Sequence, residues 1–122
     1  MNKRTLGSEK EKLAAAYLTQ KGYDIIETNY RTRYEEIDII AKDKNTIVFV
    51  EVKYRKNESF GNPLESITLN KQKRISMGAA IYLSNKNKSI EKTSIRFDAI
   101  GITGEKITHI KDAFGYIGVG FR

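Results

Sequence analysis

The sequence predicts an α/β fold in which a central mixed sheet is flanked by helices, in the order αβββαββ. Apolar residues recur at helical spacing in two segments, 5–21 and 69–84. Five other segments alternate apolar and polar residues with a period of two, which predicts strands at 23–31, 35–41, 46–55, 94–102 and 106–111. At 122 residues the chain favours one domain spanning 1–122.

Local signals support each element in turn. The first helix carries an alanine run at 14–16 and is followed by Gly22, a residue that commonly ends helices. Segment 46–55 is apolar on both of its faces, which predicts a central strand, and the polar turn 42–45 joins it to 35–41 as a hairpin. The apolar, glycine-rich tail 114–121 is expected to pack on the body of the domain.

Composition excludes several classes of site. The absence of cysteine excludes disulfides, thiolate zinc sites and a cysteine nucleophile, and a single histidine argues against a Ser/His/Asp triad. Because no apolar run approaches the roughly 20 residues that span a bilayer, and the start lacks a signal-peptide core, we expect a cytoplasmic protein with no membrane partner. The net charge of +7 favours a polyanionic partner, with nucleic acid first.

The hairpin carries the candidate chemistry. The turn at 42–45 predicts that Asp38 lies directly opposite Glu51, and Glu36 opposite Lys53, on one face of the sheet. Two facing carboxylates repel, and Mg²⁺ or Mn²⁺ relieves such repulsion while binding phosphate oxygens. A lysine on the same face suits hydrolysis of a phosphodiester. The alternative is an ordinary exposed sheet face with a Glu36–Lys53 ion pair, and the pattern alone leaves both interpretations open.

The same residues carry a resemblance. Asp38, twelve intervening residues and then Glu51-Val52-Lys53 match the PD-(D/E)XK nuclease motif, at the spacing of archaeal Holliday-junction resolvases. More closely, the chain resembles the YraN family of small bacterial proteins, which are regarded as predicted endonucleases. The matching residues run along nearly the whole chain: Gly7, Glu9, Ala14, 17–18, 22–23, 29–31, 36–41, 49–55, 60–63, Lys71, 74–75, 96–98 and 113–114.

The resemblance implies a restriction-endonuclease-like fold, with Asp38 and Glu51 as metal ligands and Lys53 as the catalytic lysine. It also implies that Glu9, on the first helix, is an additional acid of the metal site. One position departs from the family pattern, since Glu35 stands where the family usually has glycine.

Two functional hypotheses follow. The first is a metal-dependent, resolvase-like DNA endonuclease with limited base specificity, acting on branched or structured DNA. The alternative is a nucleic-acid-binding protein of the same fold with little or no cleavage activity. Basic residues that bracket the hairpin are candidate phosphate contacts, although solvated surface is the default for such residues: Arg31, Arg33, Arg55, Lys56, Lys71, Lys73 and Arg74.

Three further expectations concern assembly and polar residues. Cutting two strands needs two active sites, so a twofold homodimer is possible, with the tail 114–121 as a candidate contact surface. Asp98 is expected to pair with a neighbouring arginine or lysine. His109 is expected to be a solvated or capping residue.

Overall fold

The computed structural model describes residues 3–57 and 62–118. The elements follow the predicted order, and a short 3₁₀ helix, Pro63–Ser66, precedes the second helix. The bounds are α1 Lys3–Gln20, β1 Asp24–Arg31, β2 Glu36–Asp43, β3 Thr46–Arg55, α2 Leu69–Asn85, β4 Ile95–Thr103 and β5 Lys106–Phe114. The predicted α/β class and element order are therefore confirmed, and the architecture is consistent with a restriction-endonuclease-like fold.

The five strands form one mixed sheet in the order β1-β2-β3-β4-β5. Neighbouring strands are antiparallel except β3 and β4, which are parallel because the chain between them returns through α2. β3 lies at the centre, as its apolar residues on both faces predict. A central strand is held on both sides, so it is a rigid support for side chains at its end.

The two helices cover opposite faces of the sheet. Ala14 and Leu18 of α1 pack with Ile39, Val50 and other buried residues on one face. On the other face, α2 packs against a second cluster that contains Phe49. None of the described helices is long and apolar enough to span a membrane.

β5 extends further than predicted, through a bulge. Asp112 adopts a positive φ of 54°, and its backbone N–H donates to the Asp98 carboxylate at 3.0 Å. The strand then continues to Phe114, whose ring stacks on Phe97 with centroids 5.1 Å apart. The beginning of the apolar tail therefore completes the domain's own core, while residues 119–121 of the predicted tail lie outside the described residues.

A buried polar cluster occupies the end of the sheet near the β2–β3 turn. Asp98 is fully buried and accepts hydrogen bonds from Arg96 Nε at 2.7 Å and Arg96 Nη2 at 2.9 Å, so its predicted pairing with an arginine is confirmed. His109 Nε2 lies 2.8 Å from the same carboxylate, and only 6% of its side chain is exposed. The expectation of a solvated or capping histidine is wrong, because the buried carboxylate provides a partner from the neighbouring strand.

Phe49 offers a test of the packing under α2. Its ring contacts Phe97, with centroids 5.6 Å apart, and Tyr82, with centroids 5.9 Å apart. Phe49→Ala should lower the free energy of unfolding by about 3–5 kcal/mol, measured by urea denaturation. Leu69→Ala is the control: this side chain is 60% exposed, and its loss should cost less than about 0.5 kcal/mol. Similar losses in the two variants would contradict this packing.

Candidate active site

The β2–β3 hairpin opens at the position of the candidate acids. Starting at the turn, the ladder follows the predicted register as far as the pair Ile39–Val50, which is the last backbone pair before the strands separate. One residue further, the Asp38 side chain replaces a backbone partner: its Oδ2 accepts a hydrogen bond from the N–H of Val52 at 2.7 Å. The carboxylate thereby satisfies a backbone donor that the separating strands leave free.

The opening changes which face Asp38 occupies. Ile37 and Ile40 both pack on the α2 side, whereas Ile39 packs on the α1 side, so strict alternation fails at Asp38. On the neighbouring strand β1, Asn29 has a positive φ of 55°. It lies opposite Asp38, between the ladder pairs of Thr28 with Ile39 and Tyr30 with Ile37. Strict alternation along the sequence predicts that Asp38 shares a face with Ile40, and this is wrong because both strands are irregular at this point.

Three carboxylates meet where the hairpin opens. Glu11 of α1, Glu36 and Asp38 each place a carboxylate oxygen within 4.8 Å of the others. The predicted pair of Glu36 with Lys53 is not part of the ladder; Glu36 instead accepts a hydrogen bond from Arg31 Nε at 2.8 Å. The described residues thus contain a cluster of acids that could hold a metal ion.

The helix contributes Glu11 to this cluster and not the predicted Glu9, which is exposed and outside it. Glu11 precedes Ala14 by three residues and Leu18 by seven, and these two are the fully buried residues within the part of α1 whose side chains are described, 9–20. Residues at these spacings share one helix face, so the apolar stripe already pointed to Glu11. Leu13, which also lies at an apolar spacing in the sequence of α1, is exposed in the structure and does not mark the buried face.

Glu51 lies next to Asp38 and is surrounded by cations. Its Oε2 atom is 3.1 Å from Lys71 Nζ and 3.5 Å from Lys53 Nζ. Lys71 also contacts Glu35 Oε2, at 2.8 Å. Burial disfavours the charged form of Lys71, but the hydrogen bonds and charges of these two glutamates outweigh burial and raise its pKa. Lys71 therefore holds its charge against the buried Glu51.

Burial and neighbouring carboxylates both act on the pKa values of two of the acids. Burial raises the pKa of Asp38 well above its ordinary value, and the charge and hydrogen bond of neighbouring Glu51 raise it further. Burial also raises the pKa of Glu11, with the charge of Glu36 adding to the effect. A site that favours protons in this way also favours a bound cation, because both relieve the same repulsion.

Three of the predicted phosphate contacts lie at strand ends or between strands: Arg31 ends β1, Arg55 ends β3, and Arg33 lies in the loop between β1 and β2. Arg31 is bonded to Glu36 and its side chain is 68% exposed. Arg33 lies over the ring of the next residue, Tyr34, with 5.1 Å between the guanidinium carbon and the ring centroid. Arg55 donates from Nη1 to the backbone carbonyl of the preceding residue at 3.0 Å. Arg31 and Arg33 are therefore accessible to a polyanion beside the acids.

The other four divide into two groups. Lys71 and Arg74 are bound within the site, since Arg74 Nη2 is 3.7 Å from the same Glu35 oxygen that Lys71 contacts. Lys56 and Lys73 are exposed. The structure therefore brings Lys71 to the acids themselves, which its position in the sequence did not indicate.

Comparison with known proteins gives a consistent family match. The model described as "Uncharacterised protein family UPF0102" matches residues 10–102. A UPF0102 protein of Lachnoclostridium phytofermentans is 48% identical over 118 residues, covering 97% of this chain and 99% of that protein. One from Thermodesulfovibrio yellowstonii is 49% identical, covering 89% of this chain and 95% of its own. One from Clostridioides difficile is 47% identical, covering 93% of this chain and 100% of its own.

The burial of Asp38 beside Glu51 predicts a pH-dependent effect on stability. The pKa of Asp38 is higher in the folded protein than in the unfolded chain. Between these two pKa values the folded protein binds more protons than the unfolded chain does. The free energy of unfolding therefore falls as pH rises through that window. In the presence of a chelator, Asp38→Asn should therefore unfold at a higher urea concentration than the unmodified protein at pH 7. This difference should shrink towards pH 4.

The asparagine keeps an oxygen that can accept from Val52, so the hairpin contact is retained. Asp24→Asn, a change at an exposed aspartate at the start of β1, is the matched control and should alter stability little. A stabilisation by Asp38→Asn that is the same at pH 4 and pH 7 would show that the charge of the buried carboxylate is not its cause.

Proposed function

This chain belongs to the UPF0102 family, and from its acidic site we propose that it is a metal-dependent endonuclease that hydrolyses phosphodiester bonds of DNA. We further propose that it is resolvase-like, with branched or structured DNA as substrate and with limited base specificity.

One observation carries the proposal. Asp38 and Glu51 are adjacent buried carboxylates at the open end of a central hairpin, and Lys53 lies beside Glu51. Buried acids that repel one another reduce stability, and such arrangements concentrate at sites of catalysis. A surface that only binds DNA gains nothing from negative charge placed among its basic residues.

The donor set fits a hard divalent cation. Asp38 and Glu51, with Glu11 from α1, would supply the carboxylate oxygens that Mg²⁺ or Mn²⁺ prefers; Glu11, Glu36 and Asp38 have carboxylate oxygens within 4.8 Å of one another, and Glu51 neighbours Asp38. The raised pKa values of Asp38 and Glu11 indicate that these two acids lack a compensating charge. Bound there, the ion would polarise the scissile phosphate and acidify an attacking water.

The lysines have separate roles in this proposal. Lys53 is only partly exposed and lies 3.5 Å from Glu51, from where its ammonium would offset charge that develops on the phosphate. Lys71 contacts the same oxygen of Glu51 from α2 and fixes that side chain in place. Lys71 is therefore proposed as a positioning residue and Lys53 as the catalytic one.

The DNA would be held through its backbone. The net charge of +7 and the exposed Arg31, Arg33, Lys56 and Lys73 favour phosphate contacts, which carry no base information. Cleavage of two strands requires two such sites, so we propose that the active form on DNA is a twofold dimer.

A binding protein without cleavage activity is the second candidate. The observation that favours it is the pair of lysines at Glu51, which already compensates that carboxylate without a metal. The two candidates differ in what they require of the acids, since removal of a carboxylate abolishes cleavage but strengthens electrostatic binding to DNA.

The direct test is cleavage of linear, flapped, single-stranded and four-way DNA in the presence of Mg²⁺ or Mn²⁺. Cleavage should require the metal and should fall about 100-fold or more in Asp38→Asn, Glu51→Gln and Lys53→Met. Asp24→Asn is the control and should retain full activity. Cleavage that persists in Asp38→Asn would come from a contaminating nuclease, and absence of cleavage with intact DNA binding would favour the second candidate.

The choice between Glu11 and Glu9 gives a second test, which does not depend on activity. Glu11→Gln should weaken Mn²⁺ binding about tenfold or more in calorimetry, because it removes a carboxylate oxygen from the cluster. Glu9→Gln removes the same charge from an exposed position two residues away and should leave the affinity nearly unchanged. Equal weakening in both variants would show only a general electrostatic effect.

A further inference from the structure

A second polar site lies at the opposite end of α1 from the acids. Here the C-terminal part of α1, the β2–β3 turn and β5 enclose a cavity of about 430 Å³. This volume falls in the range typical of pockets that hold small ligands. The cavity is distinct from the acidic site, because Lys21, just beyond the end of α1, is ten residues further along the chain than Glu11, which at the helical rise is about 15 Å.

The walls of the cavity carry an excess of positive charge. Lys21 follows α1, Lys44 lies in the β2–β3 turn and Lys111 belongs to β5, and all three line the cavity. Asp43 is the one acid among its lining residues, and its Oδ2 is held by Arg96 Nη1 at 3.0 Å. Lysines that converge from separate elements on a concave surface favour an anionic ligand.

Two buried groups fix the floor of the cavity. Burial alone would raise the pKa of Asp98, but hydrogen bonds from His109 and Arg96 outweigh burial and lower it to about 2. Asp98 is therefore an ionised acceptor, so His109 Nε2 carries the proton between them. The imidazole is held by this bond, and its Nδ1 lies 3.3 Å from the hydroxyl of Tyr17, which also lines the cavity.

Tyr23 provides a hydrogen-bond donor to the cavity. Its hydroxyl oxygen lies 2.7 Å from Arg96 Nη2, and a guanidinium has donors only, so this oxygen accepts and its own proton remains to be donated. Burial and the charge of Asp98 raise the pKa of Tyr23, which keeps that proton in place. Among the described residues none accepts it.

We propose that this cavity binds a phosphate group, which belongs to a nucleotide or to a nucleic acid. Three lysines and a phenol that line one cavity match the charge and the several acceptor oxygens of a phosphate, whereas an apolar or cationic ligand would leave these donors unpaired. The proposal does not depend on the proposed nuclease activity, because the cavity shares no residue with the acidic site.

The test is an NMR titration with inorganic phosphate in the presence of a chelator. His109 is the one histidine in the sequence, so its ring signals report on the cavity without overlap from another residue. They should shift in a saturable manner. The double variant Lys44→Gln/Lys111→Gln should bind phosphate about tenfold more weakly, because it removes two of the charges that line the cavity.

The matched control is Lys92→Gln/Lys106→Gln, which removes the same charge from exposed positions outside the cavity and should change the affinity less than about twofold.

Parallel titrations identify the source of the phosphate. A 5′-mononucleotide tests for a free nucleotide, and a short duplex with and without a terminal 5′-phosphate distinguishes a DNA end from internal backbone. Absence of a saturable shift at His109 with all of these ligands, or equal weakening in both double variants, would overturn the proposal.

Discussion

The hydrogen bond from the Val52 N–H to the Asp38 carboxylate determines how the rest of the site is arranged. If the ladder continued, that N–H would pair with a backbone carbonyl, and Asp38 would share a face with Ile40 under α2. The side chain instead occupies the gap between the separating strands, close enough to α1 for Glu11 to join it. One local bond thus ends the hairpin ladder and aligns acids from a helix and two strands.

Bringing these acids together lowers stability, and basic side chains of α2 offset part of that loss. Lys71 contacts Glu51 and Glu35, and Arg74 contacts Glu35 as well, so two basic residues of the first turns of α2 are linked to the open end of the sheet. Glu35 is the residue that stands in place of the family's usual glycine. Its negative charge gives Lys71 a second partner, so this departure adds a contact between α2 and the site.

The two ends of the sheet handle buried charge in opposite ways. At the far end, Asp98 receives hydrogen bonds from Arg96, His109 and a backbone N–H, and its pKa is lowered. Asp38 has one backbone donor and a carboxylate neighbour, and its pKa is raised. The hydrogen bonds to Asp98 stabilise its charged form within the fold. The carboxylate of Asp38 lacks such compensation, and a bound cation could supply it.

Much of the structure could be predicted from the sequence, because it depends on short-range patterns. Periods of two and 3.6 located the strands and helices, and the turn at 42–45 fixed the register of the hairpin up to Ile39–Val50. The candidate residues Asp38, Glu51 and Lys53 were found in the same way, since all three belong to that hairpin and their spacing is visible along the chain. A resemblance to a family added Glu9, whereas the acid of α1 that lies in the carboxylate cluster is Glu11.

Only the tertiary structure decided which residues from other elements reach these groups. Glu11 meets Asp38, Lys71 meets Glu51, and His109 meets Asp98, each across a separation in sequence that no local period encodes. The face of Asp38 was decided in the same way, because irregular backbone at Asn29 and the bond to Val52 override strict alternation. The sequence by itself determined the elements and the hairpin register, since these follow from backbone geometry and apolar spacing. The partners of each buried charge were decided by the packing of α1, α2 and β5. A charge removed from water is stabilised only by groups within a few ångströms, and the whole fold brings those groups together.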